Sequence, residues 1–186
     1  VLVVLQNQEQ WDGAVGQTIR KYMEQEQYGM PQVEPLFKLS HITVSNLSDL
    51  FKKHRNLLIV EIDPSLAKPS IEVLTDLWAS PQRIFNIKCA SNSDFSALFA
   101  QNEEVIIQNI GEAERQRIME VFNPTIKNDV SEQVLKTFKL RLGVPAGFYV
   151  AKSTDGFMWL RKEVPDYSQG IFIISEPYQA EAQFST

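Results

Sequence analysis

The sequence predicts an α/β or α+β fold, in which a mixed β-sheet is covered by helices. Over the first third of the chain, apolar runs alternate with amphipathic stretches in the order β-α-β-α-β, which is typical of parallel strands. Residues 147–178 hold three strand-like runs separated by turn signals, which predicts antiparallel strands. The 186 residues are 44% hydrophobic, enough for a sizeable core in one domain spanning 1–186, the alternative being two small domains that share a core.

The first half of the chain supplies the predicted parallel strands. Residues 1–5 (VLVVL) form a continuous β-branched run, as expected of a strand that is buried on both faces. After a polar connection at 7–10, a helix is predicted to run to about Tyr28 and to end at Gly29. Ser45 is the predicted N-cap of a short helix. Further strands are predicted at 36–42, 57–62 and 83–90, and 71–78 fits either a strand or a short helix.

The second half begins with helices and ends in strands. Ser93 is predicted to cap a long helix that breaks or kinks at Gly111 and ends at Asn123-Pro124. The next helix is expected to cover 130–142, with Gly143 in the C′ position. Strands are predicted at 148–152, 157–164 and 170–175, with a hairpin turn at 154–156. We interpret 147–178 as the sheet onto which the preceding helices pack.

Charge and cysteine content exclude several classes of protein. The net charge of −5 and the pI near 5.1 disfavour nucleic acid and anionic membrane surfaces, because both attract basic proteins. Cys89 is the sole cysteine, so the chain forms no internal disulfide. No apolar run approaches the ~18 residues of a membrane span.

Few residues suggest catalysis, a metal or a cofactor. His41 and His54 lack the spacing and the companions of a metal motif, so no metal site is predicted. Cys89 is interpreted as a buried inert thiol, the alternative being a reactive thiol paired with His41. Gly13 and Gly16 are a weak phosphate-loop signal, which close packing of a helix on a sheet explains better, and no cofactor is predicted. The chain therefore has no predicted catalytic residues, and whether it is an enzyme stays open.

The residues chosen as a candidate binding site are Phe157, Trp159 and Arg161. They alternate along one predicted strand, so they share a face. Trp and Arg are enriched at binding hot spots, which favours recognition. In the alternative, Phe157 and Trp159 pack beneath the helices while Arg161 pairs with an acid such as Glu163.

Several motifs resemble one family. They are W-x-G-x-x-G at 11–16, MPQVEPLF at 30–37, HRNLLIV at 54–60, WASPQ at 78–82, FMWLRKEV at 157–164 and SQGIFIISEPY at 168–178. Together they resemble the uncharacterised Bacteroidetes lipoproteins grouped as a domain of unknown function, family 4837. The resemblance extends over essentially the whole chain, and it is most specific at the end.

The resemblance implies an N-terminal lipoprotein signal, a lipidated cysteine before Val1 and further residues after Thr186. The chain is thus expected to be part of a longer lipoprotein in the cell envelope, anchored by lipid and facing the periplasm or the cell surface. The predicted function is binding or assembly with an unknown envelope protein or ligand, without catalysis. The alternative is an envelope hydrolase whose active site is completed by a further C-terminal part.

The last predicted strand, GIFIIS at 170–175, is apolar on both faces. Such a strand is expected to be buried on both sides, and it invites pairing with another chain when its edge is open. We therefore predict that 147–178 docks a further segment, or that it forms a homodimer through this strand.

Overall fold

The computed structural model describes residues 1–126 and 128–184, and of residue 128 only the backbone. The chain divides into two compact units, Val1–Arg117 and Ile118–Thr186, and each unit has its own sheet. The fold class is α+β, with a mixed sheet and an antiparallel C-terminal sheet, as the sequence predicts. None of the helices in the described part of the chain is long and apolar enough to cross a membrane.

Five strands form the sheet of the first unit in the order β2-β1-β3-β5-β4. They are β1 (Leu2–Leu5), β2 (Ser40–Thr43), β3 (Asn56–Ile62), β4 (Ser70–Thr75) and β5 (Arg83–Cys89). β2, β1, β3 and β5 are parallel, which confirms the prediction from the β-α-β-α-β order. β4 resolves the ambiguous stretch as a strand, and it runs antiparallel to β5.

The first predicted helix is two helices, α1 (Gln8–Asp12) and α2 (Ala14–Met23). The prediction of a polar connection at 7–10 is wrong, because the Asn7 side chain caps α1 by accepting from the Gln10 N–H. The predicted end at Tyr28 is also wrong. Beyond Met23 the backbone bonds to the returning chain, since Leu36 N–H donates to Gln25 O and Phe37 N–H to Met23 O. Because residues 36 and 37 form these bonds, β2 begins at Ser40 and not at residue 36 as predicted.

Two later helix predictions for the first unit also change. Ser45 lies in a 3₁₀ turn (Val44–Asn46), and the short helix α3 (Asp49–Lys52) follows Ser48 instead. α4 (Asn92–Phe122) passes through Gly111 without the predicted break, because glycine within a long helix costs only about 1 kcal/mol. Its end at Phe122 is as predicted.

The main core of the first unit lies between the sheet, α2 and α4. β1, β3 and β5 contribute residues with almost no solvent exposure, which explains their near-continuous apolar sequences. The buried members are Val3, Leu5, Val15, Ile19, Met23, Leu58, Val60, Phe85, Ile87, Cys89, Phe95, Phe99, Ile106 and Ile110.

The second unit consists mainly of α5 (Asn128–Phe138) and the antiparallel sheet β6-β7-β8. Its strands are β6 (Tyr149–Thr154), β7 (Phe157–Val164) and β8 (Tyr167–Ile174). β7 has the predicted bounds, and the predicted turn holds Gly156 at φ +67°. α5 ends earlier than predicted, where Lys139 and not Gly143 takes the left-handed conformation, at φ +57°.

A small separate core joins α5 to the second sheet. Its buried residues are Val130, Val134, Val144, Phe148, Met158 and Leu160. The interpretation of 147–178 as the sheet of the preceding helices therefore holds for α5, whereas α2 and α4 bury apolar residues in the core of the first sheet.

Candidate functional site

The two faces of β7 differ in what covers them. Met158 and Leu160 are buried in the core that α5 shares with the sheet. Phe157, Trp159 and Arg161 alternate with them, so they lie on the opposite face, where all three are half-buried. Phe157 and Trp159 therefore do not pack beneath α5.

Residues of β8 extend this outer face. The register places Ile174 beside Phe157, and Phe172 beside Trp159. The Trp159 and Phe172 rings stack with centroids 5.7 Å apart, and the Phe157 and Phe172 rings with centroids 6.2 Å apart. The Arg161 guanidinium lies 5.3 Å from the Trp159 ring centroid. We call Phe157, Trp159, Arg161, Phe172 and Ile174 the aromatic face.

Gly170 lets the indole of Trp159 lie close to β8. A Cβ atom at Gly170 would be 3.1 Å from Trp159 Nε1, so a larger residue would crowd the ring. Trp159 Nε1 is itself buried and has no hydrogen-bond partner among the described residues. Most buried donors in native proteins are paired, so this N–H is an unusual feature of the face.

The charges on this face are partly compensated. Arg161 Nη2 lies 2.5 Å from Glu163 Oε1, which confirms the predicted pairing with Glu163. β6 places exposed Lys152 opposite Trp159, and Lys152 forms no ion pair among the described residues. The face thus combines an apolar surface with one uncompensated cation, which suits a partner that presents apolar groups beside a carboxylate.

Cys89 lies in β5 with no exposed surface, as the sequence predicts. Burial, with a smaller contribution from the charge of Asp94, raises the pKa of its thiol, which keeps the unreactive protonated form. The alternative pairing with His41 is wrong, because His41 stacks on Trp11 at 4.3 Å and its Nε2 lies 3.1 Å from Gln8 Oε1.

His54 stacks on Phe51 with ring centroids 6.5 Å apart. Within residues 1–126 and 128–184, no group of three or more His, Cys, Asp or Glu side chains could hold a metal ion.

Gly16 is needed for close packing, as expected. The element packed against it is the helix α1 and not the sheet. A Cβ atom at Gly16 would lie only 1.9 Å from the backbone oxygen of Trp11. The glycine therefore permits α1 and α2 to meet closely, which explains the W-x-G-x-x-G pattern without a phosphate.

The strand order creates a switch point between β1 and β3, where ligands often bind in α/β sheets. Here glutamine side chains occupy the position. Gln6 Oε1 accepts from the Ile62 N–H at 3.0 Å and from Gln10 Nε2 at 2.7 Å. Sequence reasoning missed this arrangement, because Gln6 and Gln10 resemble surface residues of a polar connection.

A second missed feature is a polar cluster where β3 and β5 begin. Arg117 is buried, its Nη1 donates to Glu114 Oε1 at 2.5 Å, and its Nη2 donates to Arg55 O at 3.1 Å. Asn56 Nδ2 also donates to Glu114 Oε1. The cluster ties α4 to the loop before β3, which is a structural role.

Family profiles match both parts of the chain. The family described as "Domain of unknown function (DUF8532)" matches residues 1–123, about two thirds of the sequence. The chain belongs to this family. Residues 127–186 of this DUF8532 protein match "Domain of unknown function (DUF4837)", which confirms the resemblance to family 4837 for the C-terminal segment. No curated protein and no solved structure matches the DUF8532 chain.

Proposed function

We propose that this DUF8532 protein is a lipid-anchored component of the bacterial cell envelope that binds a partner protein through the aromatic face, without catalysing a reaction. The observation that carries the proposal is the exposure of this face. Phe172 is 60% exposed and Ile174 is 67% exposed, beside the half-buried Trp159. Contiguous exposed apolar patches mark interaction sites, and Trp and Arg are frequent hot-spot residues.

The proposed location rests on the family resemblance, which implies a lipoprotein signal. Two acyl chains would anchor the protein stably, since each buried CH₂ contributes ~0.8 kcal/mol. When the full-length gene is expressed in its host, we expect the protein in the membrane fraction. Recovery of unlipidated protein in the cytosol would contradict the envelope location.

No observation among the described residues favours the alternative, an envelope hydrolase. Its signature would be a pair of titratable groups with shifted pKa values in one cleft. The shifted carboxyl groups instead have local causes. The pKa of Asp63 is lowered by the Ser65 N–H, and that of Asp76 by the Gln82 N–H.

Site-specific photocrosslinking tests the recognition role. Phe172 and Tyr167 lie on β8 with 60% and 58% exposure, but alternation places them on opposite faces, so they form a matched pair. With a photoreactive phenylalanine analogue at each position of the full-length protein in cells, we expect a discrete crosslinked partner from position 172 and not from 167.

The variant Trp159→Ala should abolish that crosslink while leaving the protein folded, because Trp159 lies outside the buried core. Identical products from both positions, or no product from position 172, would show that the aromatic face is not the binding site.

A further inference from the structure

The two edges of the second sheet differ in how well they are protected. At the β6 edge, the register shifts between Val150 and Lys152, and Lys152 adds a charge. A bulge and a lysine are both common protections of an edge strand. β8 pairs with β7 without a shift from Tyr167 to Ile174, and its sequence, YSQGIFII, has no proline and no charge. β8 is thus the edge that is open to another strand.

The backbone groups on the outer edge of β8 can be assigned from the antiparallel ladder. Ser175 N–H donates to Gly156 O, so this pair is hydrogen-bonded, and bonded pairs alternate along the ladder. The outward groups therefore belong to Ser168, Gly170, Phe172 and Ile174. No backbone hydrogen bond in the described part of the chain reaches this edge.

We propose that β8 pairs antiparallel with β8 of a second copy of this chain, about a two-fold axis, to form a six-stranded sheet. This inference does not rest on the proposed recognition function. The pairing leaves the aromatic face open and extends it across both copies.

A second copy suits this edge for two reasons. Each copy carries a net charge of −5, yet β8 has no charged residue, so the pairing sets no like charges opposite each other. Identical antiparallel strands are also self-complementary about a two-fold axis.

One register uses every outward group of both strands. In it, Ser168 lies opposite Ile174 of the second copy, and Gly170 lies opposite Phe172. On the other face, Ile171 lies at the two-fold axis opposite its own copy.

Sedimentation of the 186-residue chain is the first test. We expect a concentration-dependent dimer of twice the 21.3 kDa chain mass. The variant Ser168→Pro should be a monomer, because proline removes an outward N–H while sparing the bonds to β7. A wild-type chain that remains a monomer at tens of micromolar would overturn the proposal, as would a dimer unaffected by Ser168→Pro.

Disulfide trapping tests the register. At a non-hydrogen-bonded antiparallel pair, Cα atoms lie ~4.5 Å apart, within disulfide reach. Ile171→Cys should therefore crosslink to itself under mild oxidation. Gln169→Cys is the control, because position 169 would face Ile173 and lie about 13 Å from its own copy, at 3.3 Å per residue.

The control is the more exposed of the two positions. Random collision would therefore link Gln169→Cys at least as fast as Ile171→Cys. That result, or no crosslink at 171, would overturn the proposed pairing. Cys89 is buried in both variants, so any background crosslinking through it is the same in each.

Discussion

Gln82 illustrates at the residue scale how one buried side chain organises a turn. It has no exposed surface, and its Nε2 donates to Lys52 O at 2.6 Å and to His54 O at 2.7 Å. Its Oε1 accepts from the Trp78 N–H at 3.0 Å. All the hydrogen-bonding capacity of this amide except one lone pair is thus used within the first unit.

The isosteric variant Gln82→Glu should be strongly destabilising. The carboxylate has no donor for Lys52 O and His54 O, so two partly buried carbonyls lose their partner at a cost of about 2–4 kcal/mol in the free energy of unfolding. Gln108→Glu, an exposed change on α4, should stay within about 0.5 kcal/mol. Urea denaturation at pH 7 measures both.

The penalty of Gln82→Glu should also depend on pH. Burial would raise the folded-state pKa of the introduced carboxyl group above its unfolded value of about 4.3, so the folded state binds the proton more tightly. The loss of stability relative to wild type should then become smaller as the pH falls from 7 toward 4. A penalty that is the same at pH 4.5 and pH 7 would contradict this account.

Cys89 gives a second prediction at this scale. Because the thiol is buried and its pKa is raised, native protein should react with a thiol reagent far more slowly than protein unfolded in denaturant. Labelling of the native state should follow transient opening of the core, and a stabilising ligand or lower temperature should slow it. Rapid stoichiometric labelling of the folded protein would disprove the structural role.

Cys89 was predictable from sequence, whereas Gln82 was not. Cys89 lies within an apolar strand pattern, so its burial follows from its neighbours in the sequence. Gln82 follows Ser80-Pro81 in a turn-like stretch, and its burial arises from contacts with carbonyl groups about thirty residues away. Local sequence holds no signal for such long-range hydrogen bonds.

At the scale of elements, helix ends were less predictable than strands. β3, β5 and β7 were predicted within about one residue, since each is a run bounded by turn residues. The end of α2 was missed because the backbone beyond Met23 bonds to residues 34–37. A periodic pattern continues past this point and does not reveal the competing partner.

Replacing either of two helical glycines by alanine should change the stability of the protein, but in opposite directions. Gly111→Ala should stabilise the protein by about 0.5–1 kcal/mol, because the added methyl group meets only the flexible Arg115 side chain, at 3.3 Å. Gly16→Ala should be strongly destabilising, since its Cβ would collide with the Trp11 backbone oxygen. Thermal unfolding of both variants measures the difference.

The Gly111 result also tests the continuity of α4. If this helix broke at Gly111, as the sequence predicted, alanine would bring no gain in helix propensity, and the melting temperature would stay the same or fall. The Gly16 result tests the α1–α2 contact, and a neutral alanine there would contradict the close approach.

At the scale of the whole molecule, the sequence predicted the fold class and the strand directions. It did not predict that the C-terminal strands form a separate sheet with its own core. Alternation showed which residues of β7 share a face but not which face α5 covers, because Phe157, Trp159, Met158 and Leu160 are all apolar. The part of the aromatic face on β7 could therefore be named from sequence, whereas its exposure and the contribution of Phe172 and Ile174 required the structure.

The prediction of a single domain over residues 1–186 remains a prediction, and its consequence is one cooperative unfolding transition. The three tryptophans allow a test, because Trp11 and Trp78 belong to the first unit and Trp159 to the second. A Trp159→Phe variant reports on the first unit. A variant with Trp11→Phe and Trp78→Phe reports on the second.

For a single domain, we expect each variant to unfold at the same urea midpoint by fluorescence as by far-UV circular dichroism. The two variants should also share one midpoint after correction for the effect of each substitution on stability. The destabilising variant Gln82→Glu adds a sharper comparison. Among the described residues, Gln82 forms hydrogen bonds within the first unit only, so in one cooperative domain the loss of these bonds must also lower the midpoint reported by Trp159. A Trp159 transition that is unchanged by Gln82→Glu would show instead that the two cores unfold independently.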